Sequence, residues 1–418
     1  MQKNDMSLGL ILDKSSFQML NFDEIVLLHN YFIPTICPIL VMEVLGDLKK
    51  EEGTEGYSKD RVVDFSRKLL PYHSAVNVNF LKLINEELIG NKIPFDNKPL
   101  LGNVTAVQSA DGQKGLHIDI SQEEKAINRW KEGDFTTIDE ITADLWRTIT
   151  TEKDILVNLK EKLKDSTLGE RKIKKIEDLC PYVDEILGDD TKQSDLLSFI
   201  ISEFSIDTSI AGSIFLKWEQ SEFKLIKEFA PYTFFCCRVK LIFNLVLKNE
   251  LFGGVRPTNL LDLEYLYYLP FCYVFSSNDK FHKRMIPLVI GEHHTFISGE
   301  ELKADLKSLV SYRSTLSEKN DIERTQREPP LIPTSLIYQL WTKYFDWPNK
   351  QKREVSDEEL EAMKKKMDEM IDASEIGETT NTENPDFIVR KHWMRPTDLC
   401  PCGSGKQLKD CHLKQNNK

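Results

Sequence analysis

No apolar run in these 418 residues reaches the roughly 18 needed to cross a bilayer. The richest stretch, Leu260 to Phe275, is interrupted by Asp262 and Glu264, and the opening Met-Gln-Lys-Asn-Asp lacks a secretory signal's apolar core. A cytoplasmic location is the expectation. Positive charge is also short: 55 Lys and Arg against 67 Asp and Glu leave a formal net charge of −12. Uniform acidity repels phosphate at long range, which excludes a general polyanion coat and confines any nucleic-acid contact to local patches. Basic runs do occur, at Lys160 to Lys175, at Lys350 to Arg353 and in the tail at Arg390, Lys391, Arg395, Lys406 and Lys409. Such runs are more often solvated helix faces than binding sites. Outside the tail, Cys37, Cys180, Cys236, Cys237 and Cys272 are scattered in apolar contexts, the pattern of reduced buried thiols rather than a disulfide framework. There is no internal repeat.

What is present suits an α/β protein. Leu8 to Leu12 is a short continuous apolar run of the kind expected for a buried parallel strand, closed by Asp13. A helix is expected over Phe17 to Tyr31, and Pro34 to Pro38 leads into another whose apolar face is Leu40, Val41, Val44, Leu45 and Leu48. From about residue 50 to 230 helical periodicity dominates, which reads as an inserted, mainly helical domain. Tyr232 to Leu251 is apolar nearly all round, as in a helix buried between layers. Then come a helix over Asn259 to Leu269, a strand over Phe271 to Phe275, a helix from Lys280, a strand over Thr295 to Ser298 and a helix over Glu300 to Ser311. Strand and helix alternating in this way imply parallel pairing with helices on both faces, a three-layer α/β/α arrangement. Residues 356–372 have the signals of an amphipathic helix: Ser356 and Glu359 make a capping box, and Leu360, Met363, Met367, Met370 and Ile371 share one face. Residues 374–386 have linker composition, so a tethered C-terminal unit is expected.

The densest chemistry lies in the last twenty residues, where Cys400, Cys402, Cys411 and His412 form a C-x-C-x8-C-H cluster. Three thiols and an imidazole satisfy a tetrahedral zinc ion, and four protein ligands make a closed structural site with no position left for water. Gly403 and Gly405 suit the close turn that folds one ligand pair onto the other. The cluster resembles the SEC-C motif, also found at the tail of the bacterial preprotein translocase motor subunit. That resemblance implies a knuckle that docks on a protein, a ribosome or nucleic acid.

Four acids stand where a parallel α/β sheet usually places its chemistry, at strand carboxyl ends and on the adjacent helices: Asp13, Glu43, Asp262 and Asp279. Singly, each has an ordinary explanation as a turn, cap or surface residue, and Asp47 and Glu264 are rivals on the same helices. Together they would repel unless divalent cations lay between them, and hard oxygen ligands without histidine favour magnesium or manganese. In this combination the chain resembles a PIN-domain nuclease. The likeness rests on the strand running into Asp13-Lys-Ser-Ser16, on Leu40-Val-Met-Glu-Val44, on Asn259-Leu-Leu-Asp262, and on the strand closing at Ser277-Asn-Asp279. It implies a core from residues 1–50 and 232–320, interrupted by the insertion over 51–231 and followed by a helical segment and linker over 321–386 and the zinc motif over 387–418. More than two hundred positions separate Glu43 from Asp262, far more than a compact PIN domain places there.

Carried over from the resemblance, Asp13, Glu43, Asp262 and Asp279 hold one or two Mg2+ or Mn2+ ions, with Ser277 supporting the last turn. Ser15 and Asn259 touch the metal water or a phosphate, and Lys280, His282, Lys283 and Arg284 bind the substrate backbone at a helix N-terminus. The implied activity is hydrolysis of single-stranded RNA, or DNA, by a prokaryotic toxin or defence effector. The rival expectation is a non-catalytic adaptor in which a PIN-like scaffold presents the zinc docking tail to nucleic acid, a ribosome or a protein.

Overall fold

The computed structural model describes residues 8–50, 57–70, 73–102, 104–108, 114–118, 120–152, 154–165, 171–316, 329–346 and 397–412, together with Glu361 and Lys365. At its centre is β1 (Leu8–Leu12), all five residues buried, as a continuous apolar run requires when helices cover both faces of a sheet. Beside it lie β2 (Phe32–Ile36) and β6 (Val274–Ser276), flanked by β3 (Ala75–Val76) and β7 (Thr295–Ile297). The order is β3-β2-β1-β6-β7 and every pairing is parallel. Gly9 serves this centre by its missing side chain: a Cβ there would stand 3.0 Å from the Asn97 carbonyl oxygen and 3.3 Å from the Cys272 Cα.

The first connections are α1 (Lys14–Phe17), α2 (Phe22–Tyr31) and α3 (Pro38–Gly46). An Asn21/Glu24 capping box starts α2, and Pro38 occupies the first turn of α3, where its lacking N–H costs nothing. Pro34, expected in a connection, lies inside β2; β3 pairs only with Thr35 and Ile36, so Pro34 sits beyond that short ladder. The stretch expected to be a helical insertion begins instead by completing the sheet: α4 (Tyr57–Leu69), β3 and α5 (Phe80–Leu88) add its edge strand. A two-residue strand has no periodicity to betray it. After these come the antiparallel pair β4 (Val104–Gln108) and β5 (Lys114–Ile118), then α6 (Gln122–Trp130), α7 (Thr137–Thr151), α8 (Asp154–Asp165), α9 (Leu179–Leu187), α10 (Gln193–Glu203), α11 (Thr208–Gln220) and α12 (Ile226–Phe229).

The helix expected to be buried all round is α13 (Pro231–Lys248), packed among α5, α8, α9, α12 and the helices at Asn259–Leu266 and Lys280–Val289. Its first N–H groups, at Tyr232 and Thr233, donate to the buried carboxylate of Glu87 on α5 at 3.0 and 2.7 Å, which ties α13 to the edge of the sheet. Next, α14 (Asn259–Leu266) ends before a 3-10 turn at Leu269–Phe271, so β6 begins three residues later than the aromatic run suggests. The last layer is α15 (Lys280–Val289), β7 and α16 (Gly299–Arg313), with a further helix at Leu336–Phe345. Residues 356–372 and 374–386 lie outside the described residues, except that Glu361 and Lys365 are helical and exposed. Among the described residues no helix is long and apolar enough to cross a membrane.

Candidate functional site

At the carboxyl end of β1, Asp13 caps α1 and is 3% exposed. Its Oδ1 accepts from the Ser16 N–H at 2.8 Å, both oxygens lie 2.8 Å from the Ser15 hydroxyl, and Oδ2 takes a short hydrogen bond from the Ser277 hydroxyl beyond β6. Into the same point comes His282 of α15, fully buried, with Nδ1 2.8 Å from Ser277 Oγ and 3.3 Å from Asp13 Oδ2, and Nε2 2.7 Å from the Asp262 carbonyl oxygen. A carbonyl only accepts, so Nε2 carries a proton. With the Ser277 hydroxyl directed at Asp13, the arrangement favours a second proton on Nδ1 and hence an imidazolium. Burial alone would lower the His282 pKa, but the Asp13 bond and charge, with the Asp262 charge and carbonyl, push it up to about 9. Burial likewise raises Asp13, and the bonds from His282, Ser277 and Ser16 outweigh it, holding Asp13 below its ordinary value.

The other acids sense one another. Glu43, on α3, is pushed up to about 7, first by burial, against the opposing Lys14 charge and a hydrogen bond from the Tyr265 hydroxyl, with the Asp262 and Asp13 charges adding to the rise. Burial first, then the Asp279 and Asp13 charges, lift Asp262 to about 6, while His282 and a 2.7 Å bond from the Asn259 amide pull the other way. Asp279 caps α15 by accepting from the Phe281 N–H at 2.6 Å and lies 3.2 Å from the Arg256 guanidinium. The rivals serve elsewhere. Asp47 is buried among Lys14 at 2.7 Å, Arg61 at 3.0 Å and Lys50 at 3.6 Å, and Glu264 answers to Lys240 on α13.

A carboxylate offers about four lone-pair sites, and Asp13 has committed its own to Ser15, Ser16, Ser277 and His282. Glu43 and Asp262 each keep one oxygen to which no described residue donates, since Tyr265 uses only Oε2 and Asn259 only Oδ2. Glu43 and Asp262 therefore each have a whole oxygen that could meet a hard cation, Asp279 has one engagement on each oxygen, Oδ1 from the Phe281 N–H and Oδ2 from Arg256, and Asp13 is the most fully engaged of the four. These oxygens are spread more widely than the thiol cluster in the tail: among the described residues, only the tail's group brings three or more candidate ligand atoms within 4.8 Å of one another.

Beside the acids opens a groove of about 400 Å³, lined by Ser15, Arg256, Asn259, Asp279, Lys280 and Arg284 among others. Of the residues expected to meet a substrate, Lys280 is exposed there, and Arg284 lies over the Phe252 ring at 4.0 Å while donating to the Gly253 carbonyl at 3.2 Å. Lys283 turns toward Glu300 at 3.8 Å. Ser15 spends its proton on Asp13 and accepts from the Asn278 N–H at 2.9 Å. The expectation that His282 touches a substrate backbone meets a different placement: the helix turns its ring inward, and both nitrogens are engaged. Tyr265, Lys14 and Arg256 had not been singled out. Tyr265 was accessible from its spacing three residues after Asp262, and Lys14 from its place beside Asp13; Arg256 carried no signal.

In the tail, Cys400 N–H donates to the Lys406 carbonyl at 2.7 Å and Leu399 bridges Gln407, closing a turn in which Gly403 and Gly405 adopt φ of +79° and +70°. The ligand atoms converge: Cys400 Sγ to His412 Nδ1 3.0 Å, Cys411 Sγ to His412 Nδ1 3.3 Å, Cys402 Sγ to Cys411 Sγ 3.5 Å. A tetrahedron with zinc–sulfur bonds of about 2.3 Å has edges of about 3.8 Å, so a small expansion separates this cluster from a zinc site. Contrary to a purely tethered unit, the His412 ring lies 4.4 Å from the ring of Phe22 at the start of α2. Residues 397–414 match the family model of the SEC-C motif, so the chain carries that motif at its C-terminus. No curated protein and no solved structure matches the chain.

Proposed function

We propose that the protein is a PIN-like, metal-dependent nuclease that hydrolyses phosphodiester bonds of single-stranded RNA, with Glu43, Asp262 and Asp279 as ligands of Mg2+ or Mn2+ and Asp13 as the anionic centre that orders them. The observation that supports this reading is that the Asp13 charge acts on both Glu43 and Asp262, and the Asp279 charge on Asp262, although these acids come from opposite ends of the sequence, beside a groove with Arg256, Lys280 and Arg284 in its wall. A divalent cation held there would polarise a phosphodiester and activate a water for in-line attack. The chain's own groups do the rest. Lys280 at the mouth attracts the phosphate, Asn259 orients Asp262, Tyr265 orients the Glu43 carboxylate and Lys14 holds the Glu43 main-chain carbonyl. The raised values of Glu43 and Asp262 leave both partly protonated near neutrality, and a cation would drive off those protons. The role of a toxin or defence effector belongs to the same reading.

One observation favours the adaptor instead: Asp13 is already satisfied by protein donors and faces a buried imidazolium, which balances part of the charge without an ion. Labelled single-stranded RNA and DNA incubated with Mg2+ or Mn2+ separate the two. The nuclease reading expects cutting by the wild-type chain, with RNA preferred, and its loss in Asp262→Asn and Asp279→Asn. Intact substrates with both metals would leave the adaptor.

A further inference from the structure

The helix α7 presents two apolar faces, and the fold uses only one. Ala143 is buried and Trp146 packs where Gly46 of α3 leaves room for its indole. On the outer side Ile138, Ile141, Leu145 and Ile149 are 74, 54, 60 and 47% exposed. Their spacing of three, four and four residues sets them in one stripe along three turns. Scattered exposed apolar residues need no explanation, but four aligned aliphatic side chains form a contiguous patch of the kind that marks a contact surface.

We infer that this stripe is the docking site for the chain's own segment 356–372. That segment repeats the stripe's spacing: Leu360, Met363, Met367 and Ile371 also follow one another at three, four and four. It is the one strongly amphipathic stretch of sequence outside the described residues, and the two residues of it that are described, Glu361 and Lys365, are helical and lie on its polar side. Antiparallel seating sets Ile138 by Ile371, Ile141 by Met367, Leu145 by Met363 and Ile149 by Leu360. Charge points the same way. Asp144, which pairs with Lys49 at 3.4 Å but stays 56% exposed, and Lys366 each immediately precede the third residue of their stripes, so they flank on the same side, and same-side flanks meet in an antiparallel helix pair. A second copy of α7 is disfavoured by the same reasoning: pairing Ile138 with Ile149 and Ile141 with Leu145 sets the two copies' Asp144 carboxylates against each other. Flexible methionines suit a helix seated on a ridge of branched side chains. Because α7 packs on α3, the docked segment would link the approach to the zinc knuckle with the helix that carries Glu43.

Hydrogen exchange on the full-length chain tests this. Ile141→Glu combined with Leu145→Glu should speed exchange in 356–372 by about tenfold or more while β1 and α13 keep wild-type protection. Met363→Glu with Met367→Glu should loosen residues 138–149 in return. Lys366→Asp should speed exchange in the segment, and adding Asp144→Lys should restore it. Wild-type exchange in 356–372 in the first variant, or in 138–149 in the second, overturns the proposal. So does a wild-type dimer that Ile141→Glu/Leu145→Glu converts to monomer with the segment unchanged, since the occupant would then be a second copy.

Discussion

In the C-terminal knuckle four ligands lie within thirteen consecutive residues, whereas at the end of the sheet Ser277 reaches Asp13 across 264 positions. In the knuckle Leu408 and Cys400 are buried, and the ligand atoms meet one another and Ser404 within this short segment. At the sheet, by contrast, each acid has protein donors or cations of its own, and His282 supplies an internal positive charge. The difference teaches where the organising energy resides. The local cluster takes its geometry from one short turn and is compatible with a zinc ion, while the dispersed cluster inherits its geometry from packed strands and helices.

The largest effect should come from removing the metal at the knuckle. Freshly purified reduced protein should contain about one zinc per chain, lost in Cys400→Ser. Structural zinc contributes on the order of 10 kcal/mol to such small units. Chelation should therefore expose residues 397–412 to protease while the sheet keeps its protection, and melting of both regions together would erase the contrast.

The buried pair at the sheet comes next. His282→Ala strands the Asp13 carboxylate and should cost about 3–5 kcal/mol in urea unfolding. Its pH dependence has a definite sign. The His282 value is raised from 6.5 to about 9, so its contribution is complete below pH 6.5 and is lost as pH rises through 9. Glu43 and Asp262, raised to about 7 and about 6, lose theirs in the same direction at lower pH. Asp13, held below 3.8, acts oppositely and loses its contribution only as the solution becomes strongly acidic. The melting temperature should fall between pH 6.5 and 9, and His282→Gln should flatten that limb. A wild-type profile already flat over this range would mean that the ring is neutral.

The smallest change probes the packing between α3 and α7. A Cβ at Gly46 would collide with the Trp146 indole, so Gly46→Ala should destabilise by about 1–3 kcal/mol in the same urea titration. An unchanged midpoint would show that α7 moves freely against α3.

Much of the architecture was legible because it is written in local pattern. The run Leu8 to Leu12 is β1 residue for residue, and the all-round apolar stretch after Tyr232 is the buried α13. The thiol spacing of the knuckle was equally readable, since its ligands are neighbours in sequence. What escaped was set by distant partners. β3 is two residues long and exists because Thr35 and Ile36 offer it a ladder. Nothing in Lys280 to Arg284 distinguishes the histidine that turns inward from the cations that face solvent. Likewise, α7's period was visible, but not which of its apolar residues the fold would leave outside.

The amino-acid order by itself determined the strand at the centre, the helices around it and the thiol cluster at the end, because hydrophobic period and ligand spacing act over a few residues. Only the tertiary structure decided that Glu43 and Asp262 feel the charge of Asp13, and that the buried His282 faces Asp13 and Asp262. Burial and mutual distance set those carboxyl and imidazole protonation states, and both depend on which remote segments pack together.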